Sequence, residues 1–316
     1  MPDYLHNHKD FKALLTIIAD EKGIDPALIE KDYWIMHCLY GLKKQGFRFE
    51  LKGGTSLSKG YHIIHRFSED IDIHIEPPRE MGINQNPKNT NPNNIEKRKD
   101  FYNWLATEIN IPGISSVSRD MLFDDEAYYR SGGIRLHYES AADIVEGLKE
   151  GVLLEAGFDN VTPNTAVTIS SWAYDRALTA GVEIIDNRAI DISCYHIGYT
   201  FVEKLQTIAT KFRKEQEFGD TGSNFMRQYY DVYCLLDHPE VIEFIGSEAY
   251  QTHKENRFPA QDKIAPLCEN EAFLLSDPEK RQKFKERYTL TATLYYQGQP
   301  DFEDLLERIA KHLKDL

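Results

Sequence analysis

The stretch KGGTSLSKGYHIIHRFSEDIDIHIE, from Lys52 to Glu76, holds the residues of this chain best suited to phosphate and metal chemistry. Gly53 and Gly54 close a short apolar run, where glycines let backbone N–H groups turn toward a bound anion. A helix starting there would add its positive N-terminus, and Thr55 and Ser56 add hydroxyl donors. Farther on, Asp70 and Asp72 alternate with Ile71, Ile73 and Ile75. That period predicts a strand with one apolar face, and puts both carboxylates on the other face, roughly 7 Å apart at Cα. Hard oxygen ligands of this kind suit Mg2+ or Mn2+, held by one or two carboxylates together with substrate phosphates. Carboxylates so crowded also repel one another unless a cation binds. A phosphate cradle and a carboxylate pair in one strand–helix–strand unit suit metal-assisted nucleotidyl transfer from an NTP. Taken singly, each half reads equally as a tight turn with a helix cap, or as a solvated strand face. GxxxxGK[ST] is absent, so the cradle is not a P-loop.

The elements around this stretch follow from periodicity. Phe11, Leu14, Leu15 and Ile18 form a helical stripe ended by Gly23, and a second helix begins at Asp25 as N-cap with Pro26 at its first position. Phe47 to Leu51 reads as a short strand, and Leu57, Tyr61 and Ile64 can share a helix face after the glycines. Pro77 to Asn94 (PPREMGINQNPKNTNPNN) predicts a mobile surface loop. A helix over Lys97–Ile109, strands around Gly133–Glu139 and Gly151–Phe158, and further β-like segments through Ile192 follow. Beyond Tyr195 the pattern turns helical, with stripes at Phe201, Leu205, Ile208 and Phe212, then at Tyr229, Val232, Leu235 and Leu236, and a last amphipathic helix capped near Asp301. The expected fold class is α+β: residues 1–194 form a mixed α/β domain and residues 195–316 a helical one.

At 316 residues the chain can bury an ample core without staples. Its formal charge of −14 excludes attraction to nucleic acid or an anionic membrane by net charge alone. Cys38, Cys194, Cys234 and Cys268 are scattered and form no CxxC pair, which argues for reduced thiols over a disulfide framework or a zinc knuckle. His62, His65 and His74 lack the further ligands a zinc site needs. The N-terminal segment has no signal-peptide h-region, and no apolar run reaches transmembrane length, so a cytoplasmic protein without membrane contact is expected.

Gly53-Gly54-Thr55-Ser56 followed by Arg66-Phe67-Ser68-Glu69-Asp70-Ile71-Asp72 resembles the "GGT…RfSeDiD" signature of the AbiEii/AbiGii (MenT-like) nucleotidyltransferase toxins, in the DNA polymerase beta-type nucleotidyltransferase superfamily. Glu30-Lys31-Asp32-Tyr33-Trp34 is similar to that family's EKDYW helix, Glu203-Lys204-Leu205 to its EKL helix, and Arg227 with Tyr230-Asp231-Val232-Tyr233 to its "R..kDlyDl" helix. The spacing from Thr55 to Asp70 is slightly longer than usual, Thr55 replaces a frequent serine, and the insertion after Glu76 marks a divergent branch.

The resemblance implies a polymerase beta-like core, a small mixed sheet with flanking helices, and a helical C-terminal lobe closing a cleft over NTP. It implies the toxin of a toxin–antitoxin or phage-defence system, opposed by a separately encoded antitoxin and acting with two Mg2+ (or Mn2+) ions. Some relatives add nucleotides to the tRNA 3′ acceptor end, others are GTP-selective binders, and the residues here do not choose between these behaviours. The roles carried over are Asp70 and Asp72 as metal ligands and Gly53, Gly54, Thr55 and Ser56 on the phosphates. Lys204, at the rim of its helix's buried face, reaches the triphosphate, and Asp231, at a comparable rim, orients Lys204 or the nucleotide. Arg66 bridges a phosphate or packs beside the strand. The superfamily's third carboxylate falls to Glu155 or to its rival Glu139, as metal ligand or general base. Competing readings are a nucleotide-binding effector without transfer and a DxD-type glycosyltransferase.

Overall fold

The computed structural model describes residues 2–143, 148–219 and 223–316. They cluster into two compact units, one of Met1–Tyr61 with Phe67–Tyr195, the other of His62–Arg66 with His196–Leu316.

In the first unit, helices α1 (Phe11–Lys22) and α2 (Pro26–Lys44) precede strands β1 (Phe49–Lys52) and β2 (Asp70–Ile75). Helix α3 (Pro92–Glu108), strands β3 (Ile114–Asp120), β4 (Ser131–Tyr138), β5 (Val152–Gly157) and β6 (Asn164–Ile169), helix α4 (Trp172–Thr179) and strand β7 (Ala189–Tyr195) complete it. The strands form one mixed sheet in the order β3-β4-β5-β2-β1-β7-β6, an α+β arrangement. β2 runs parallel to β5 and antiparallel to β1, so it is central. Its alternation is the one the sequence predicts: Ile71, Ile73 and Ile75 are buried, each worth about 1.5–3 kcal/mol, while Asp70, Asp72 and His74 stay partly accessible. β5 reads Val-Leu-Leu-Glu-Ala, apolar on both faces, as befits a strand covered on both sides, and Glu155 is the exception.

Several expectations change. The turn after β1 is helical only through Gly60, with π-type spacing over Ser56–Gly60, and His62 then takes a left-handed φ of 55°. Leu57, Tyr61 and Ile64 therefore do not share a helix. The Asn/Pro segment lies at the surface but is tied down: the buried Arg98 donates to the carbonyl oxygens of Asn84 (3.1 Å), Asn86 (2.6 Å) and Asn89 (3.2 Å), and Asn94 Oδ1 accepts from Asn84 N at 2.7 Å. β3, an edge strand with little buried surface, and α4 were not anticipated from the sequence.

His37 on α2 is fully buried. Its Nε2–H donates to Pro112 O at 2.8 Å, so Nδ1 accepts from Asn187 Nδ2 at 2.8 Å, which fixes a neutral ring. Burial lowers its pKa to about 4, below the unfolded value of about 6.5. The unfolded chain thus takes the proton first: the stability contribution is complete above about pH 6.5 and is lost as pH falls toward 4. Urea denaturation should show the advantage of the native protein over His37→Gln shrinking by about 2–3 kcal/mol between pH 7 and pH 4.

The second unit contains α5 (Ile197–Phe218), α6 (Arg227–Leu235), α7 (Pro239–Phe244), α8 (Glu248–Arg257), α9 (Pro278–Thr289) and α10 (Phe302–His312), with shorter helical turns between them. The α5 stripe Phe201, Leu205, Ile208 and Phe212 is buried, as are Tyr229, Val232 and Leu235 of α6. Asp301 caps α10 by accepting from Glu303 N at 2.9 Å. The four cysteines are free thiols, and no helix among the described residues is long and apolar enough to cross a membrane.

Candidate active site

The glycine turn and the carboxylate pair are a single construction in the first unit. β1 and β2 pair with Lys52 opposite Asp72, so the chain leaves β1 directly beside the carboxylate. Gly53 adopts a φ of 73°, and a Cβ there would stand 2.2 Å from Asp72 Oδ2. Both the left-handed backbone and the approach of the carboxylate require glycine. Thr55 Oγ1 donates to the backbone oxygen of Asp70 at 2.5 Å, and Ser56 Oγ to Gly53 O at 2.9 Å. Both hydroxyls are buried. Thr55 thus ties the turn to the head of β2 and Ser56 closes the turn on itself, neither projecting toward solvent.

The parallel register of β2 and β5 sets Glu155 opposite Asp72. Burial first, then the Asp72 and Asp70 carboxylates, push the Glu155 carboxyl up to about 8. Glu139 lies beyond the end of β4 and is exposed. Asp70 Oδ1 is buried without a hydrogen-bond partner among the described residues. A divalent cation would satisfy that oxygen and relieve the crowding of three carboxylates, so the donor set fits Mg2+ or Mn2+. Among the described residues no three His, Cys, Asp or Glu side chains are grouped so as to hold a metal ion, so any ion here would rest on the Asp70 and Asp72 pair. An open site that leaves positions for substrate phosphates is the arrangement magnesium ordinarily uses. His74 is engaged elsewhere, with Nδ1 2.8 Å from Glu50 Oε2 and Nε2 3.1 Å from Gln85 Oε1.

In the second unit Asp231 is completely buried, not at a rim. Arg66 grips it in fork geometry, Nε to Oδ1 and Nη2 to Oδ2, both at 2.7 Å, and Lys204 Nζ lies 2.9 Å from Oδ2. Burial raises the Asp231 carboxyl, but Arg66 and Lys204 outweigh that and hold it at about 2. Lys204 is itself largely buried. Arg66, Lys204 and Asp231 therefore form one ionic cluster, with Arg66 committed to a carboxylate.

The family model for the nucleotidyl transferase AbiEii toxin of type IV toxin–antitoxin systems matches residues 37–308. The chain belongs to the AbiEii family. A search of curated proteins finds no match. The matched span contains the glycine turn, Asp70, Asp72, Glu155, Lys204 and Asp231, whereas Glu30–Trp34 lies just ahead of it. Membership makes this AbiEii-family chain an enzyme of the nucleotidyl transferase class and the toxin of a toxin–antitoxin pair, with a nucleotide substrate and an antitoxin partner.

Around the candidate site of this AbiEii-family chain lie charged residues to which sequence reasoning gave no role. Glu30, Lys31 and Asp32 are consecutive on α2 and all buried. Each reaches a different segment. Glu30 accepts from Ser140 Oγ (2.8 Å), Ala141 N (2.8 Å) and Ala142 N (2.9 Å). Lys31 Nζ donates to Lys149 O at 2.5 Å and lies 3.5 Å from Glu69 Oε2. Asp32 pairs with Lys59 of the turn after the glycines and accepts from Trp172 N at 2.8 Å. Lys149 Nζ in turn donates to Asp70 Oδ2 at 2.7 Å. A signal for the α2 residues was present: consecutive helix positions are about 100° apart, so three charges flanked by apolar residues on every side of a helix must be buried and paired. For Lys149 there was none, because its partner is 79 residues away.

Proposed function

We propose that this AbiEii-family toxin transfers an NMP from an NTP to an RNA acceptor, the tRNA 3′ end being the first candidate, with release of pyrophosphate. What supports the reading is the pair Asp70 and Asp72 on one face of β2, with Asp72 against the Gly53 turn and Glu155 opposite it in the parallel register. Asp70 and Asp72 would hold Mg2+. When bound with the nucleotide, that ion neutralises phosphate charge and polarises the α-phosphate. Gly53 and Gly54 let the chain approach the phosphates closely, and Thr55 and Ser56 fix the turn that presents them. Burial and the neighbouring carboxylates raise the proton affinity of Glu155; it would give up its own proton to solvent once a cation offsets the Asp70 and Asp72 charges, and the ionised carboxylate would then accept the proton of the attacking acceptor hydroxyl. As that oxygen bonds to the α-phosphorus, the bond to the β-phosphate bridging oxygen breaks. Within the second unit, the ion pair with Asp231 orients the Lys204 ammonium, and Arg66 acts by fixing Asp231.

The test is incubation of the protein with Mg2+ and each α-phosphate-labelled NTP, with and without total tRNA. Label is expected in RNA, from a preferred nucleotide, only when tRNA is present. Label on the protein itself, or nucleotide bound and recovered unchanged, would overturn the RNA-transfer reading.

A further inference from the structure

Lys149 is placed with unusual care for a residue outside the sheet. Its backbone oxygen accepts from the buried Lys31 Nζ at 2.5 Å, and its backbone N–H donates to Glu69 Oε2 at 3.3 Å. Lys31 and Glu69 lie 3.5 Å apart, so one ion pair, its lysine fully buried, holds the Lys149 backbone at both its N–H and its carbonyl. The ammonium then donates to Asp70 Oδ2 at 2.7 Å and lies 5.0 Å from the centre of the Phe123 ring. It remains about one-third exposed. Asp70 thus has one oxygen taken by a lysine and the other, Oδ1, buried without a partner among the described residues.

An ammonium on one oxygen of a metal-binding carboxylate competes with the metal: both are cations, and they share the same charge. The same ammonium, once displaced, stands beside a site where phosphates gather, and lysine binds phosphate as a mobile point charge. We propose that Lys149 is the site's own counter-cation. It holds Asp70 while nucleotide is absent, yields it to the divalent ion when nucleotide arrives, and then moves to the triphosphate. This inference rests on the reading of Asp70 and Asp72 as metal ligands. The consequence is coupling. Metal binds weakly alone and more tightly with nucleotide, and linkage requires nucleotide to gain by the same factor from metal.

The experiment measures Mn2+ binding to the full chain by electron paramagnetic resonance, with and without an equimolar mixture of the four α,β-methylene NTPs. The proteins are the native chain, Lys149→Gln, Lys149→Met, Lys149→Arg and Asp70→Asn/Asp72→Asn. Circular dichroism of each confirms folding, which the exposure of the Lys149 head group favours. Lys149→Gln and Lys149→Met should bind Mn2+ alone roughly fivefold or more tightly than the native chain, and lose most of the gain on adding nucleotide. Lys149→Arg, which keeps the charge, should bind as weakly alone as the native chain. A merely structural lysine would leave the affinity and the coupling factor unchanged, or weaken binding in all three variants, and either result overturns the proposal. Mn2+ binding undiminished in Asp70→Asn/Asp72→Asn would instead overturn the metal-site reading beneath it.

Discussion

Asp70→Ala and Asp72→Ala are each expected to abolish nucleotide transfer and growth arrest while leaving the protein folded. The loss follows from the role of the pair. Both carboxylates stand on the accessible face of β2, where they would hold the ion that stabilises phosphate charge in transfer. Removing several kcal/mol of such stabilisation slows the reaction on the order of a thousandfold or more. The fold should survive because neither carboxylate is a packing element. The chain around them is held by Ile71, Ile73 and Ile75 and by the bond from Thr55 to the Asp70 backbone, which no side-chain substitution at position 70 removes. Asp72→Ala also relieves a repulsion that helps raise Glu155. Its melting temperature should match or exceed the native one. Transfer of labelled nucleotide, growth on induction and thermal unfolding are the three measurements. Full toxicity of a folded Asp70→Ala/Asp72→Ala double variant would sink the assignment.

Arg66→Ala is expected to give the largest loss of stability in the helical unit. Asp231 is completely buried, and the fork from Arg66 satisfies both its oxygens at 2.7 Å. Without the arginine, the Lys204 ammonium remains on one oxygen of that carboxylate and, among the described residues, no second cation is shown on the other. Breaking a buried pair by deleting one partner costs about 3–5 kcal/mol, most of it the desolvation of the charge left behind. Pairing the substitution with Asp231→Ala should recover a large part of the loss, because the stranded charge goes too, and a double-mutant cycle in urea isolates that interaction. Lys204→Met should cost less, since it leaves the fork intact. If Arg66→Ala unfolds at the native urea concentration but raises KM for the nucleotide, Arg66 is a phosphate ligand and not the anchor of Asp231.

These expectations draw unequally on sequence and fold. The polar and apolar faces of β2 are local facts, since side chains alternate with period two along any strand, and the isoleucines could only point inward. Caps at Asp25 and Asp301 are equally local, each a side chain reaching a backbone N–H two residues on. β3 escaped for a physical reason: an edge strand buries little, so ISSVSRD carries almost no apolar period. The Asn/Pro segment reads as mobile because it is almost empty of apolar side chains, Met81 and Ile83 aside, yet Arg98, from the following helix, holds its backbone carbonyls.

What this chain's sequence determined by itself is the chemistry on offer: a glycine turn that must approach something closely, two carboxylates on one strand face, and helical stripes that must pack. Family membership is a property of the same residues. The tertiary structure decided which charges meet. Sheet order brings Glu155 beside Asp72 across 83 positions of chain, Lys149 reaches Asp70 across 79, and Arg66 reaches Asp231 across 165. Local periodicity says which face a residue takes. It does not say which distant face it meets, because that depends on strand order and on where each buried charge finds its counter-ion.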